Sequence, residues 1–265
     1  NVTRVQTCAL PICQPYIARA TAAYYLGNIN SQNAVNALVA TLNDKYALVR
    51  YESLRALANY DASYWVNAVQ PLLNDKSRSV RIAAADLFVS SNENSLPISN
   101  KESLQRASSE NFQFLSNQLD FALGNVAMAD YYFRKNDYTN AIKYYQKALK
   151  KDSLLNAVRI NLSSSYNAIG KNAEALSCLK LAAKMEPGND HVFYSLALLY
   201  NELNNLSQAQ TCFEKCIALK TLNPKVYYNY GLFMQQKGNS SKAEQLFRQG
   251  LIIDSQSEEL NYAMA

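Results

Sequence analysis

From Asp120 to Ser255, apolar and small positions return four times at an interval of 34 residues. The clearest copy runs from Asn156 to Pro187 and carries Leu162, Tyr166, Gly170, Ala175, Leu179, Ala182 and Pro187. The following copies hold Leu196, Tyr200, Asn204, Ala209, Phe213, Cys216 and Thr221, then Tyr230, Met234, Gly238, Ala243, Phe247, Gly250 and Ser255. The preceding copy holds Met128, Tyr132, Asn136, Ala141, Tyr145, Ala148 and Ser153. A fixed period in this range means an array of stacked supersecondary units. Each unit predicts two helices with a turn at Asn136, Gly170, Asn204 or Gly238, the two residue types that best tolerate a left-handed backbone. Pro15 to Ser91 follows a different period. Arg19, Arg50 and Arg81 are 31 residues apart, as are Asp44 and Asp75, while Leu26, Leu57 and Phe88 keep step. The apolar spacing there predicts helices at Pro15–Ile29, Gln32–Leu42, Leu48–Asn59, Ser63–Leu73 and Ser79–Ser90. Asn43-Asp44 and Asn74-Asp75 supply turn chemistry and candidate helix caps.

Between the arrays, Asn92 to Asn100 is polar, contains Pro97 and breaks both periods, which predicts a loop. Ser99 or Asn100 is then the candidate cap of a helix from about Lys101 to Leu119, with Leu104, Ala107, Phe112, Leu115 and Leu119 on its apolar side. This helix is expected to bridge the two arrays and give them one continuous core.

The first array, with an Asp at each turn and an Arg six residues later (Asp44 to Arg50, Asp75 to Arg81), resembles HEAT repeats of the short type. The resemblance implies that these residues form a ladder between stacked turns rather than a catalytic set. The 34-residue units resemble tetratricopeptide repeats (TPR), in four whole units and the opening of a fifth. Ala141, Ala175, Ala209 and Ala243 fit where the two helices of a unit approach closely, and a larger side chain would overpack that contact. Tyr145, Leu179, Phe213 and Phe247 are expected to fill the interhelical space. The fold class expected is all-α, two stacked helical-repeat solenoids: HEAT-like repeats over 14–91, the loop and bridging helix over 92–119, and TPR units over 120–265.

In such arrays binding resides on the groove lined by the first helix of each unit. The inward positions carry Val126, Ile160, Tyr194 and Tyr228; Phe133, Asn167, Asn201 and Gln235; and Ala127, Asn161, Ser195 and Asn229. Tyrosine offers area at low entropy cost, and amides bond both donors and acceptors of an extended backbone. Asn161, Asn167, Tyr194, Asn201, Tyr228 and Gln235 are therefore the candidate partner-binding residues. Two readings stay open: a peptide-binding groove, or a solvated polar groove, empty or covered by another part of the parent protein. A lysine- and arginine-rich clamp for an acidic tail is not expected, because only Lys225 and Arg134 lie near the inward positions.

Charge and composition narrow the chemistry. The 265-residue chain carries a net charge of +5 with 18% charged residues, spread along its length. Lys147, Lys150 and Lys151 cluster, but they read as a solvated helix face without a flanking aromatic stripe, and Arg55, Lys76 and Arg78 are too few for a nucleic-acid footprint. No apolar run approaches the roughly 18 residues of a membrane span. Cys178, Cys212 and Cys216 have no metal-site spacing, and Cys216 fills a small core slot. His191 is the single histidine. It has no nucleophile or orienting partner in any known motif, and no glycine loop for phosphate occurs. No enzyme activity, cofactor or metal is expected; the partner class is protein or peptide.

Residues 2–12 resemble the translation of a sequencing adapter, so 1–13, with Cys8 and Cys13, are expected to be a non-native leader. With the fifth unit only begun at Leu260–Ala265, the chain is expected to be a fragment of a longer, bacterial protein. The order of short HEAT units, bridging helix and TPR units resembles the C-terminal region of bacterial multihaem c-type cytochromes. That resemblance implies an accessory or docking module of an exported electron-transfer protein. No C-x-x-C-H motif occurs here, so no haem is assigned to any residue of this chain.

Overall fold

A computed structural model describes residues 15–89 and 98–265. The expected leader with its two cysteines, and residues 92–97 of the expected loop, lie outside the described residues. Among the described residues all regular structure is helical, and they divide into two compact units, one ending at Asp137 and the other starting at Tyr138.

The first unit contains α1 (Tyr16–Leu26), α2 (Gln32–Thr41), α3 (Ala47–Leu57), α4 (Val66–Val69), α5 (Arg78–Leu87), α6 (Ile98–Ser116) and α7 (Ala122–Arg134). The helix expected at Ser63–Leu73 is broken into a 3-10 turn at Ala62–Tyr64, the short α4 and a second 3-10 turn at Gln70–Asn74. Pro71 is the cause: it has no N–H to donate and its ring crowds the preceding turn. The core of this unit gathers Leu26, Leu38, Leu54, Leu57, Leu73 and Phe88, with Trp65 edge-on to Phe88 at 5.6 Å. Leu104 and Ala107 of α6 join it. The helix expected from Lys101 starts at Ile98, so Asn100 is a helical residue, and its amide donates to Gln70 Oε1. Phe112, expected on the buried side, is exposed. The buried line is Leu104, Ala107, Asn111 and Leu115, which keeps the 3.6-residue period, and Asn111 donates to Asp86 Oδ1 at 3.1 Å.

The ladder is present. Arg19 donates to Asp44 at 2.7 and 3.0 Å, and Arg50 donates to both oxygens of Asp75 at 2.8 Å. Arg81 completes the series on Glu110 of α6, with bonds of 2.9–3.2 Å. Asp44 and Asp75 are not helix caps. Each accepts from the amide two residues on, Tyr46 or Ser77, and so shapes the turn before the helix. Burial pushes both carboxyls up, but the guanidinium and amide bonds and the arginine charges outweigh it, so both pKa values fall below the ordinary carboxylate value.

The second unit contains α8 (Tyr138–Lys151), α9 (Asn156–Ala168), α10 (Asn172–Met185), α11 (Asp190–Glu202), α12 (Leu206–Ala218), α13 (Pro224–Gln236), α14 (Ser240–Ile253) and α15 (Glu258–Met264). The repeat slots behave as expected. Ala141, Ala175, Ala209 and Ala243 are wholly buried, as are Tyr145, Leu179, Phe213 and Phe247. The turn residues Gly170, Asn204 and Gly238 have φ of 74°, 57° and 76°, and Asn136, at the end of the first unit, has 59°. Gly231 serves a separate need, since a Cβ there would lie 2.2 Å from the Phe247 ring. A residue that sequence did not single out, Lys220, also takes a positive φ, 56°.

One closure recurs in both units. At the fourth residue of a helix, a side chain donates to the carbonyl six residues earlier. Arg50 reaches Asp44 and Arg81 reaches Asp75, at 2.7 and 2.8 Å. Asn125 reaches Leu119, Arg159 reaches Ser153 and Tyr227 reaches Thr221, at 2.7, 2.7 and 3.2 Å. Each bond satisfies a turn carbonyl that the helix itself cannot use.

Candidate functional site: the first-helix face of the TPR units

The candidate residues of the second unit sit on α9, α11 and α13, the first helix of each of three successive 34-residue copies. Each pair of these helices is joined by a bond spanning 35 residues. The Asn167 amide donates to Glu202 Oε2 at 2.8 Å, and the Asn229 amide donates to the Tyr194 hydroxyl at 2.7 Å. Asn229 also donates to the Lys225 carbonyl at 2.9 Å, so its amide is fixed from two sides. Burial raises the Tyr194 pKa, with the Asn229 bond opposing it, and the phenol stays a neutral hydrogen-bonding group at neutral pH.

Asn167 and Asn201 occupy one slot in successive units, and in both the amide Oδ1 is sheltered from solvent and has no hydrogen-bond partner. Tyr228 is half-buried and packs with its ring centroid 6.3 Å from Phe247. It also lines, with Lys225, Asn229, Ser257 and Glu259, a pocket between α13 and α15. Asn161 and Gln235 are exposed and are not tied to the others by any hydrogen bond. The structure thus gathers Asn167 with Asn201 and Glu202, and Tyr194 with Tyr228 and Asn229. It leaves Asn161 and Gln235 as free outer positions.

Glu202 and the Lys225–Glu259 side of the pocket were not among the candidate residues. Glu202 follows Asn167 by one full period plus one residue, as Asn229 follows Tyr194. That shared offset of 35 was the available signal.

Burial pushes the Cys212 and Cys216 thiols up to about 11 and about 12, so neither is a thiolate near neutrality. Cys178, half-buried, is shifted the same way, mainly by burial. His191 is exposed, as are Lys147, Lys150 and Lys151. Among the described residues no group of three or more His, Cys, Asp and Glu is placed to hold a metal ion, and no helix is long and apolar enough to cross a membrane.

Comparison with known proteins agrees with the fold. The profile described as HEAT repeats matches residues 13–88, and that of the Psidin N-terminal TPR repeats region matches residues 132–246. No curated protein sequence matches the chain. Among solved structures, PilW, described as a widely conserved type IV pilus biogenesis factor, is 18% identical with a TM-score of 0.55, over 89% of this chain and all of its own (100%). The APC/C hetero-tetramer Cut9–Hcn1 is 14% identical with a TM-score of 0.51, over 99% of this chain and 59% of its own. MamA is 23% identical with a TM-score of 0.46, over 52% of this chain and 80% of its own. Ladder, buried alanines, left-handed turns and profiles agree: the chain is an all-α helical-repeat protein, HEAT repeats followed by TPR-type repeats.

Proposed function

We propose that this chain is a non-enzymatic protein-interaction scaffold that binds a peptide or partner domain along α9, α11 and α13, through Asn161, Asn167, Tyr194, Asn201, Tyr228 and Gln235. The observation that carries this reading is the row of amide and phenol side chains tied across neighbouring first helices, Asn167 to Glu202 at 2.8 Å and Asn229 to Tyr194 at 2.7 Å. Side-chain amides offer both donors and acceptors, which suits the alternating N–H and C=O groups of an extended peptide. Tyr194 and Tyr228 frame these amides with rigid, half-apolar surface, suited to holding a chain whose sequence varies. Replacing both tyrosines by Ala should abolish capture of a partner selected on the wild-type chain, with helical content unchanged by circular dichroism. Unaltered capture by the folded double variant would remove the groove assignment.

The domain order favours a second reading, in which these repeats are the accessory or docking module of an exported multihaem c-type cytochrome. The order is matched by the two profiles, HEAT over 13–88 and TPR over 132–246. The test is to read the gene on the N-terminal side of the HEAT repeats: a signal peptide and C-x-x-C-H motifs there support this reading, and their absence removes it.

A further inference from the structure

The outward face of the HEAT helices carries chemistry that the ladder does not use. Residues 24, 55 and 86 share one slot of the 31-residue period on α1, α3 and α5, and there stand Tyr24, Arg55 and Asp86. The row is closed at one end. Asp86 accepts two bonds from Arg134, at 2.7 and 3.0 Å, and a third from Asn111 at 3.1 Å. Arg134 is further held by the Asp86 carbonyl at 2.9 Å. The middle of the row is open. Arg55 has no hydrogen bond and no carboxylate partner among the described residues; its guanidinium lies over the Tyr51 ring, 5.9 Å from the centroid.

Two clefts meet at this arginine, one of about 330 Å³ and one of about 440 Å³, and Arg55 lines both. The smaller cleft is walled by large apolar side chains facing water: Ile17 is 58% exposed, Tyr24 55%, Tyr25 57% and Leu48 43%. A contiguous apolar wall of this kind, edged by an unpaired charge, marks an interaction surface. Glu52 lines the same cleft one turn before Arg55 and is likewise unpaired, although residues three apart on a helix can reach each other. The charges are thus set side by side, an acid next to the apolar wall and a base at its exit.

We infer that this face is a second docking site, for a short peptide segment that places a large apolar side chain against Tyr24 and Leu48 and a carboxylate on Arg55. Charge complementarity selects that occupant. The guanidinium is already oriented by Tyr51, presents a bidentate donor pair to a planar carboxylate, and loses no existing partner on binding. Glu52 excludes a second acid beside the apolar anchor, so a uniformly acidic peptide is disfavoured and a single acid next to an apolar residue is accepted. This site does not depend on the groove of the second unit.

The test uses the full chain and a fluorescein-labelled, N-acetylated and C-amidated Gly-Ser-Leu-Phe-Asp-Gly-Ser probe, read by fluorescence anisotropy. Wild type should bind it saturably, and Arg55→Glu should weaken binding at least about tenfold. A probe with Lys in place of Asp should recover affinity on Arg55→Glu while binding wild type poorly. Tyr24→Ala with Leu48→Ala should also weaken the Asp probe, and Tyr194→Ala with Tyr228→Ala should leave it unchanged. Because Arg55 is exposed and unpaired, its variants should keep wild-type circular dichroism; Arg55→Gln, with no reversed charge, provides an independent reading of the same loss. No saturable binding, equal affinity of wild type for both probes, or a self-association abolished by Arg55→Glu and untouched by the probe would overturn the assignment.

Discussion

The two units fix the packing of their repeats by opposite means. In the HEAT unit the device is charge: Arg19 to Asp44 and Arg50 to Asp75, shielded between neighbouring turns, and Arg81 to Glu110 of α6, which is more open. In the TPR unit it is volume: fully buried alanines against Tyr145, Leu179, Phe213 and Phe247, with turns that only Gly and Asn adopt readily. A charged register is directional and sensitive to acid. A steric register is indifferent to pH and intolerant of a few extra carbon atoms.

The largest effect should come from removing a ladder carboxylate. Arg19 is 3% exposed, so Asp44→Ala leaves a buried guanidinium without its carboxylate and should cost about 3–5 kcal/mol. Trp65, the single tryptophan, sits in the HEAT core and reports that unit's unfolding by fluorescence. Arg134→Ala, which breaks the more exposed pair with Asp86 and leaves the Asn111 bond to Asp86 in place, should cost about 1 kcal/mol or less. Equal losses would end the distinction between ladder and surface pair. Acid should act on the rungs together. Because Asp44 and Asp75 have pKa values below their unfolded ones, their contribution is complete above the ordinary carboxylate value and is lost as pH falls through the lowered one. The Trp65 transition should therefore weaken below about pH 4, and Asp44→Asn with Asp75→Asn should flatten that dependence.

Ala209→Leu tests the other device. It should destabilise the TPR unit by about 1–3 kcal/mol through overpacking, seen in far-UV thermal melts. Gly170→Ala should cost about 1–2 kcal/mol by forcing a Cβ into a left-handed turn; its surroundings are open, so only the backbone opposes it. The smallest effect belongs to Arg248→Ala, which removes an exposed pair with Glu244 at i,i+4 and should shift stability by about 0.3–0.5 kcal/mol.

What sequence made legible follows the same division. Slots that recur at a fixed period were readable because identical geometry demands similar volume or φ, as Ala141 to Ala243 and Asn136 to Gly238 illustrate. Features off the period were not. Glu110 replaces the expected aspartate on a helix that belongs to neither repeat, 35 residues after Asp75 rather than 31. Asn111 rather than Phe112 faces inward, because helical phase overrides hydrophobicity when a polar side chain finds a partner, here Asp86. The break at Pro71 was legible in principle, and the apolar spacing of Ser63–Leu73 outweighed it wrongly. For the candidate groove, the period picks out slots on α9, α11 and α13, while the bonds joining those helices leave only the shared offset of 35, from Asn167 to Glu202 and from Tyr194 to Asn229, as a signal.

The side-chain closure at the fourth helical residue bears on how far each repeat stands alone. Arginine, asparagine and tyrosine all serve it, in repeats of 31 and of 34 residues, at Arg50, Arg81, Asn125, Arg159 and Tyr227. Phe193 occupies the equivalent position with no donor, so a unit survives its loss. Donor and acceptor lie six residues apart in one stretch of chain, so each repeat that makes the bond carries its own fastening and asks nothing of its neighbours.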